Sequence, residues 1–266
     1  MNTVRENPAR GECAGATSKS TAEDKPLIAM ITGACGGIGR AAVRYFLEQG
    51  IDVIGLDIRP AGAGHTAAAG DEPAAASDEP AAASGRYIHC LADVRDPATF
   101  PQLDADQMPH FLINCAGVQN SGDDIDVNLK GAINTTEAFA IGNDRIISVV
   151  NIGSASAHTG SEFPEYSASK GGLLSYTKNV ALRLAPKAIC NSIDPGGVLT
   201  DLNQCVIEDE SLWQQIMDLT PLKRWATPEE IAEWIFFVGV RNRFMTGQNL
   251  LIDGGEAGNA KFIWPE

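Results

Sequence analysis

Short uninterrupted apolar runs alternate with amphipathic stretches along most of the chain. Leu27-Ile-Ala-Met-Ile-Thr32 is the first such run, and its lack of polar alternation predicts a strand buried on both faces, as in a parallel sheet. Ile38, Ala42, Tyr45 and Phe46 then fall on one stripe, which predicts a helix stopped by Gly50. Ile51–Asp57, Arg86–Asp93, His110–Asn114, Ile146–Ile152, Ala188–Ile193 and a last short run at Leu250–Gly255 read as further strands. Between them the pattern predicts helices over Asp123–Ala140, over 168–184 and from Thr227 to about Val240. Thr227-Pro-Glu-Glu230 is a strong start signal, with a Thr cap, Pro in the first position and Glu in the third. Strand–helix alternation implies one α/β domain, a Rossmann-like doubly wound parallel sheet of about seven strands with helices on both faces.

Two stretches break the alternation. Met1–Lys25 is polar, mixed in charge and aperiodic, and is expected to be a disordered tail before a domain spanning 26–266. Within residues 60–85, Asp-Glu-Pro-Ala-Ala-Ala-Ser occurs at 71–77 and again at 78–84, which reads as a low-complexity insertion in a loop. A third stretch, 199–226, is ordinary in composition but dense in apolar residues, among them Leu202, Val206, Trp213 and Met217. Helical spacing at Leu212, Ile216 and Leu219 fits core packing, and its place after a strand's carboxyl end fits a flexible lid over a substrate.

Composition narrows the class. The 266 residues are 44% apolar and 20% charged, ordinary for a globular domain with a sizeable core. A net charge of −14 argues against nucleic acid, acidic protein partners and anionic membranes. No run is long enough to span a bilayer, and no apolar segment near the start reads as a secretory signal, so a cytoplasmic protein is expected. Cys13, Cys35, Cys90, Cys115, Cys190 and Cys205 lack CxxC spacing and read as reduced thiols. The four histidines form no ligand set, and no metal site is expected.

The candidate chemistry lies where strands end. Thr32-Gly-Ala-Cys-Gly-Gly-Ile-Gly39 follows the first strand, with glycines spaced Gly33-xxx-Gly37-x-Gly39. Such a turn lets the backbone approach a pyrophosphate at a helix N-terminus, and Asp57 at the end of the second strand can hold both hydroxyls of an adenosine ribose. Asp93-Val94 could reach an adenine edge, and small residues again follow the fourth strand at Asn114-Cys-Ala-Gly117. Tyr166 and Lys170 are four apart, which on a helix puts both on one face. A phenol beside a fixed ammonium loses its proton more readily and can serve as general base for an alcohol.

Taken together these motifs resemble the single-domain branch of the short-chain dehydrogenase/reductase family. The segments at 32–39, Asp57, Asp93-Val94, 114–117, 127–131, Asn151–Ser154, Tyr166–Lys170, Pro195–Thr200, Thr227–Ala232 and Thr246–Gly255 match in order and spacing. The resemblance implies that Tyr166 transfers the proton. Lys170 would assist it and bind the nicotinamide ribose, Ser154 would hydrogen-bond the substrate oxygen, and Asn128 would hold a relay water. It further implies a cofactor site of Gly33, Cys35, Gly37, Ile38, Gly39, Asp57, Ile58, Asp93, Val94, Asn114, Ala116, Gly117, Tyr166, Lys170, Val198 and Thr200. Cys115 departs from the family's usual Asn or Ala. The segment from Gly117 to Asn128 is shorter than usual, and Ser154 to Tyr166 is one residue short, leaving Ser156 as a second candidate. Asp57 would repel a 2′-phosphate, so NAD is expected over NADP, with Arg59 the one nearby base. The implied activity is interconversion of a secondary alcohol and a ketone on a hydrophobic substrate, with hydroxysteroids or bile acids as the working class. A ketoacyl-carrier-protein reductase is the rival enzyme, a non-catalytic NAD-binding scaffold is the rival outside enzymes, and a homotetramer is expected before a dimer.

Overall fold

In the computed structural model, residues 26–61, 85–161 and 163–258 are described, so the tail at 1–25 and the repeat at 71–84 lie outside the described residues. Seven strands form one sheet: β1 (Ile28–Thr32), β2 (Asp52–Asp57), β3 (Tyr87–Leu91), β4 (Phe111–Asn114), β5 (Ser148–Ile152), β6 (Ile189–Pro195) and β7 (Asn249–Ile252). Their order is β3-β2-β1-β4-β5-β6-β7 and every pairing is parallel. The order reverses between β1 and β4, and the carboxyl ends on either side of that switch point open a crevice.

Helices cover both faces. α1 (Gly37–Glu48) and α7 (Pro228–Phe236) share one face, where the Phe236 ring meets Tyr45 and Phe46 edge-on at 5.3 and 5.2 Å. On the other face α2 (Gly131–Phe139) and α4 (Pro164–Leu184) bury Phe139, Val180, Ala181 and Leu184 against Met30, Leu112 and Val149. Shorter helices α3 (Ser156–Thr159), α5 (Gln204–Ile207) and α6 (Glu210–Leu219) build the rim of the crevice. The start signal of α7 is realised as a reciprocal capping box: Glu230 N donates to Thr227 Oγ1 at 3.2 Å and Thr227 N donates to Glu230 Oε2 at 2.9 Å.

Several boundaries differ from expectation. α1 begins at Gly37, so two glycines of the turn form the helix's first turn. α4 begins at Pro164, which puts Tyr166 inside the helix. The predicted helix over Asp123–Ala140 is a π-helical turn, Ile125–Lys130, running into α2. The last helix likewise ends in a π turn over Phe237–Arg241.

Candidate active site

A cleft of ≈ 950 Å³ runs along the carboxyl ends of the strands. Its walls come from the turn after β1, the ends of β2 and β3, the loop after β4, the β5–α3 turn, α4, the loop after β6 and the rim helices. Gly33 has φ +65° and faces Ala116, whose Cα would lie 2.7 Å from any added Cβ; this close approach requires glycine. Thr32 Oγ1 fixes the two loops together by accepting from Cys115 N and Ala116 N, both at 3.0 Å.

At one end of the cleft Asp57 is buried, with 6% of its surface exposed. Oδ2 accepts from Cys35 N at 2.8 Å, and Oδ1 accepts from Arg59 N at 2.9 Å and Arg59 Nε at 3.2 Å. Burial pushes its carboxyl up, but the Arg59 bonds and the Cys35 N–H outweigh that and hold it below the usual aspartate value. Asp93 is gripped by Arg95 at 2.7 Å, and Arg95 also reaches Asp123 at 2.9 Å. Arg59 and Arg95 both line the cleft; the sequence reading gave no role to Arg95 and left Arg59 outside the site. Their signal lies only two residues past each acid.

The proposed catalytic groups line the middle. Ser154, Tyr166 and Lys170 all face the cleft, with Lys170 Nζ 5.8 Å from the centroid of the Tyr166 ring. Lys170 is 6% exposed, and Nζ donates to Ile152 O at 2.8 Å. Burial pulls its ammonium down to about 8, while Cys115, Asp194 and Asp124 act the other way. Cys115 is pushed up to about 12 by burial, so it stays a neutral thiol beside the ammonium. Ser154 and Ser156 both line the cleft, and Ser156 N donates to Ser154 Oγ at 3.1 Å.

The cofactor set is placed as follows. Gly33, Gly37, Ile38, Gly39, Asp57, Ile58, Asp93, Val94, Ala116, Gly117, Val198 and Thr200 line the cleft with Tyr166 and Lys170. Two expected residues do not. Cys35 turns its thiol toward the carbonyls of Arg59 and Pro60, and its backbone N–H alone serves the site through Asp57. Asn114 uses its amide within the fold, donating to Thr136 and Asn151 and accepting from Thr135 at 2.7 to 2.9 Å. Asn128 stands behind the wall. Its Oδ1 accepts from Val118 N at 2.8 Å, and Nδ2 donates to Val118 O at 2.9 Å and Ser169 Oγ at 3.0 Å. Ser169 Oγ in turn donates to Tyr166 O at 2.7 Å, so Asn128 ties the loop after β4 to the turn of α4 that carries Tyr166. Asn128 is buried within the π turn, a device frequent at functional sites.

The lid assignment needs correcting. Leu202 and Val206 line the cleft, but Trp213 and Met217 do not; Ile216 and Leu219 of α6 take their place. Trp213 packs edge-on against Trp225 at 5.0 Å, and Met217 is buried. Residues 212, 216 and 219 lie on one helical stripe and 213 and 217 on the next, and the core takes the second. The sequence reading also missed Gln119, Thr159 and Glu256, which line the same cleft.

The residues present fit a nicotinamide dinucleotide. A glycine cradle at a helix N-terminus suits a pyrophosphate, a buried carboxylate suits a ribose diol, and a buried lysine beside a tyrosine suits the reacting end. Comparison with known proteins agrees. The family model described as enoyl-(acyl carrier protein) reductase matches residues 33–256. L-rhamnose 1-dehydrogenase (NAD(P)(+)) of Azotobacter vinelandii is 32% identical, over 87% of this chain and 96% of that one. 2,3-Dihydro-2,3-dihydroxybenzoate dehydrogenase of Bacillus subtilis is 30% identical, over 86% of this chain and 95% of that one. Among solved structures, 4-hydroxyisoleucine dehydrogenase complexed with NADH superposes with a TM-score of 0.73 at 28% identity, covering 88% of this chain and all (100%) of that one. The chain belongs to the short-chain dehydrogenase/reductase family, as an NAD(P)-dependent oxidoreductase acting on CH–OH groups.

Proposed function

We propose that the protein is an NAD-dependent dehydrogenase that interconverts a secondary alcohol and a ketone on a hydroxylated ring compound, with Tyr166 as the general acid/base. The observation that carries this reading is the buried Lys170 ammonium set beside the Tyr166 ring in the cleft. A bound nicotinamide supplies the hydride acceptor or donor. The Lys170 charge favours the Tyr166 phenolate, which takes the hydroxyl proton of the alcohol and returns it to the ketone oxygen in reverse. The Ser154 hydroxyl donates to the substrate oxygen and stabilises the charge that develops there. Asn128 holds the loop at Val118 and α4 in register, so its part is to position the turn that carries Tyr166. Asp57 favours NAD over NADP, because its carboxylate would face the 2′-phosphate; Arg59, held on Asp57, tempers that preference.

Two features bear on the substrate. Gln119, Ser156, Thr159, Asn203 and Glu256 give the cleft a polar side, and Leu202, Val206, Ile216 and Leu219 give it an apolar one. A ring with hydroxyls at its edge and an apolar face, such as a sugar or cyclic polyol, meets both. A hydroxysteroid is the second reading, favoured by the apolar side alone; the two curated relatives named above act, by their names, on a sugar and on a cyclic dihydrodiol. Among the described residues the cations lining the cleft are Arg59, Arg95 and Lys170, of which the two arginines are held by Asp57 and Asp93. That leaves an acidic acyl-carrier substrate without a counter-charge. Incubation with NAD and a panel of aldoses, cyclic diols, hydroxysteroids and bile acids, followed by NADH absorbance, tests the reading. Turnover of sugars or diols supports it, turnover of steroids alone moves it to the second class, and turnover that survives Tyr166→Phe refutes the acid/base assignment. A homo-oligomer, tetramer before dimer, is part of the same proposal. Exposed Trp234, Phe237 and Phe244 offer an apolar surface for it, and light scattering of the purified protein decides.

A further inference from the structure

A second charged group lies behind the Ser154 turn. Asp194, on β6, has 0% of its surface exposed. Its Oδ2 is 2.7 Å from His158 Nε2 of α3. Its Oδ1 is buried without a hydrogen-bond partner. That oxygen is pressed against Gly153: a Cβ there would lie 2.0 Å from it, so only glycine fits. Gly153 stands between Ile152, whose carbonyl accepts from Lys170 Nζ, and Ser154. The carboxylate and the Lys170 ammonium therefore flank the same three-residue strand end.

The pair is not needed to hold the turn in place. Gly153 N donates to Ile193 O and Ala155 N to Pro195 O, both at 2.8 Å, which already fix the turn to β6. A half-satisfied carboxylate in a dry site is costly, and buried ion pairs are often no more stabilising than apolar replacements. What Asp194 adds that an apolar residue could not is charge. The groups facing it are His158 from α3 and Lys170 from α4; its neighbour across β7 is the uncharged Leu251. Lys170 in turn faces Cys115, which stays neutral, and Asp124. Burial pushes the Asp194 carboxyl up, and His158, Ser192 and Lys170 draw it back.

We propose that His158 and Asp194 are a positioning pair whose buried negative charge holds Lys170 as an ammonium and so sets the pH range over which Tyr166 exchanges its proton. The inference rests on Tyr166 being the acid/base group. Without the negative charge the Lys170 ammonium loses its proton more easily, and a neutral Lys170 no longer favours the Tyr166 phenolate. Asp194→Asn is therefore expected to move the Tyr166 ionisation toward alkali and to narrow the kcat/KM profile, its alkaline limb moving toward acid, each by roughly 0.5–1 pH unit.

The Tyr166 ionisation is read without substrate or cofactor, from the phenolate absorbance that disappears when Tyr166→Phe is introduced in the same background. His158→Leu strips the carboxylate of its partner, drives it toward the neutral acid and is expected to give a smaller displacement of the same sign. Should Asp194→Asn not fold, the His158→Leu titration decides alone. A folded variant with an unmoved Tyr166 ionisation overturns the proposal. So does a fall in rate with an unchanged profile, which would mark the pair as structural only. Activity retained by Tyr166→Phe would instead refute the catalytic reading, and the absorbance titration would still answer for the pair.

Discussion

Lys170→Met should remove activity while leaving the protein as stable as wild type or more so at neutral pH, and the difference should depend on pH in a set direction. Burial lowers the Lys170 ammonium from the ordinary 10.5 to about 8. A gap of that size corresponds to about 3 kcal/mol by which the folded state disfavours the charged form. Below the folded value both states carry the proton, and the folded protein bears the whole cost. Between about 8 and 10.5 the unfolded chain holds a proton that the folded one has shed, so wild-type stability rises with pH through this group; above 10.5 the cost is gone. The Met variant carries no such term.

Against this stands the lost bond from Nζ to Ile152 O, worth about 1–3 kcal/mol once the carbonyl is left unmet. The variant is thus expected to equal or exceed wild type by up to about 2 kcal/mol at pH 7, and to fall below it by about 1–3 kcal/mol near pH 10.5. Urea unfolding of the cofactor-free protein at a series of pH values, at one protein concentration and followed by tryptophan fluorescence, gives the difference directly. A difference that stays flat, or that grows in favour of Met as pH rises, would refute the claim that Lys170 is held charged against burial. The loss of turnover together with a gain in stability would mark the lysine as kept for chemistry at a cost to the fold.

Three further outcomes follow from the same geometry. Tyr166→Phe should lower kcat by about 10²–10⁴-fold and leave NADH binding, measured by fluorescence, unchanged; weakened binding would mean the hydroxyl acts mainly on the cofactor. Asp57→Ala removes the carboxylate that Arg59 pairs with and frees that guanidinium for a 2′-phosphate, so the ratio of kcat/KM for NAD over NADP should fall by about tenfold or more, and an unchanged ratio would show that Asp57 does not set the preference. Thr227→Ala breaks the capping box of α7 and should cost about 1 kcal/mol of stability in urea without changing kcat. Glu230 of the same box is held at about 2, chiefly by Arg224, so its contribution is present above the ordinary 4.5 and is lost as pH falls from there toward 2. It is a modest one, because the side chain is 41% exposed.

What the sequence disclosed and what it withheld divide along one physical line. The strands were legible because a parallel sheet buried on both faces leaves no polar alternation, and Ile28–Thr32 and Ser148–Ile152 lie close to where their apolar runs fall. One wall of the cleft was legible because a glycine turn and an acid stand at fixed offsets within one βαβ unit, as Gly33 and Asp57 do. The π turn at Asn128 was not, since a shift from i+4 to i+5 bonding leaves no mark in residue type.

Nor could periodicity choose between the two apolar stripes of α6. Both 212/216/219 and 213/217 are helical spacings, and the choice is made by Trp225, which meets Trp213 from beyond the helix. The acid–base neighbours show the same limit more sharply. Lys170 and Tyr166 are four apart and announce themselves, whereas His158 and Asp194 are 36 apart, and neither has a local pattern to betray it. The proton chemistry is thus written locally, and its tuning is written in contacts between strands. Substitutions at Asp194 or His158 alone should therefore alter the pH dependence of this enzyme while leaving every recognisable motif intact.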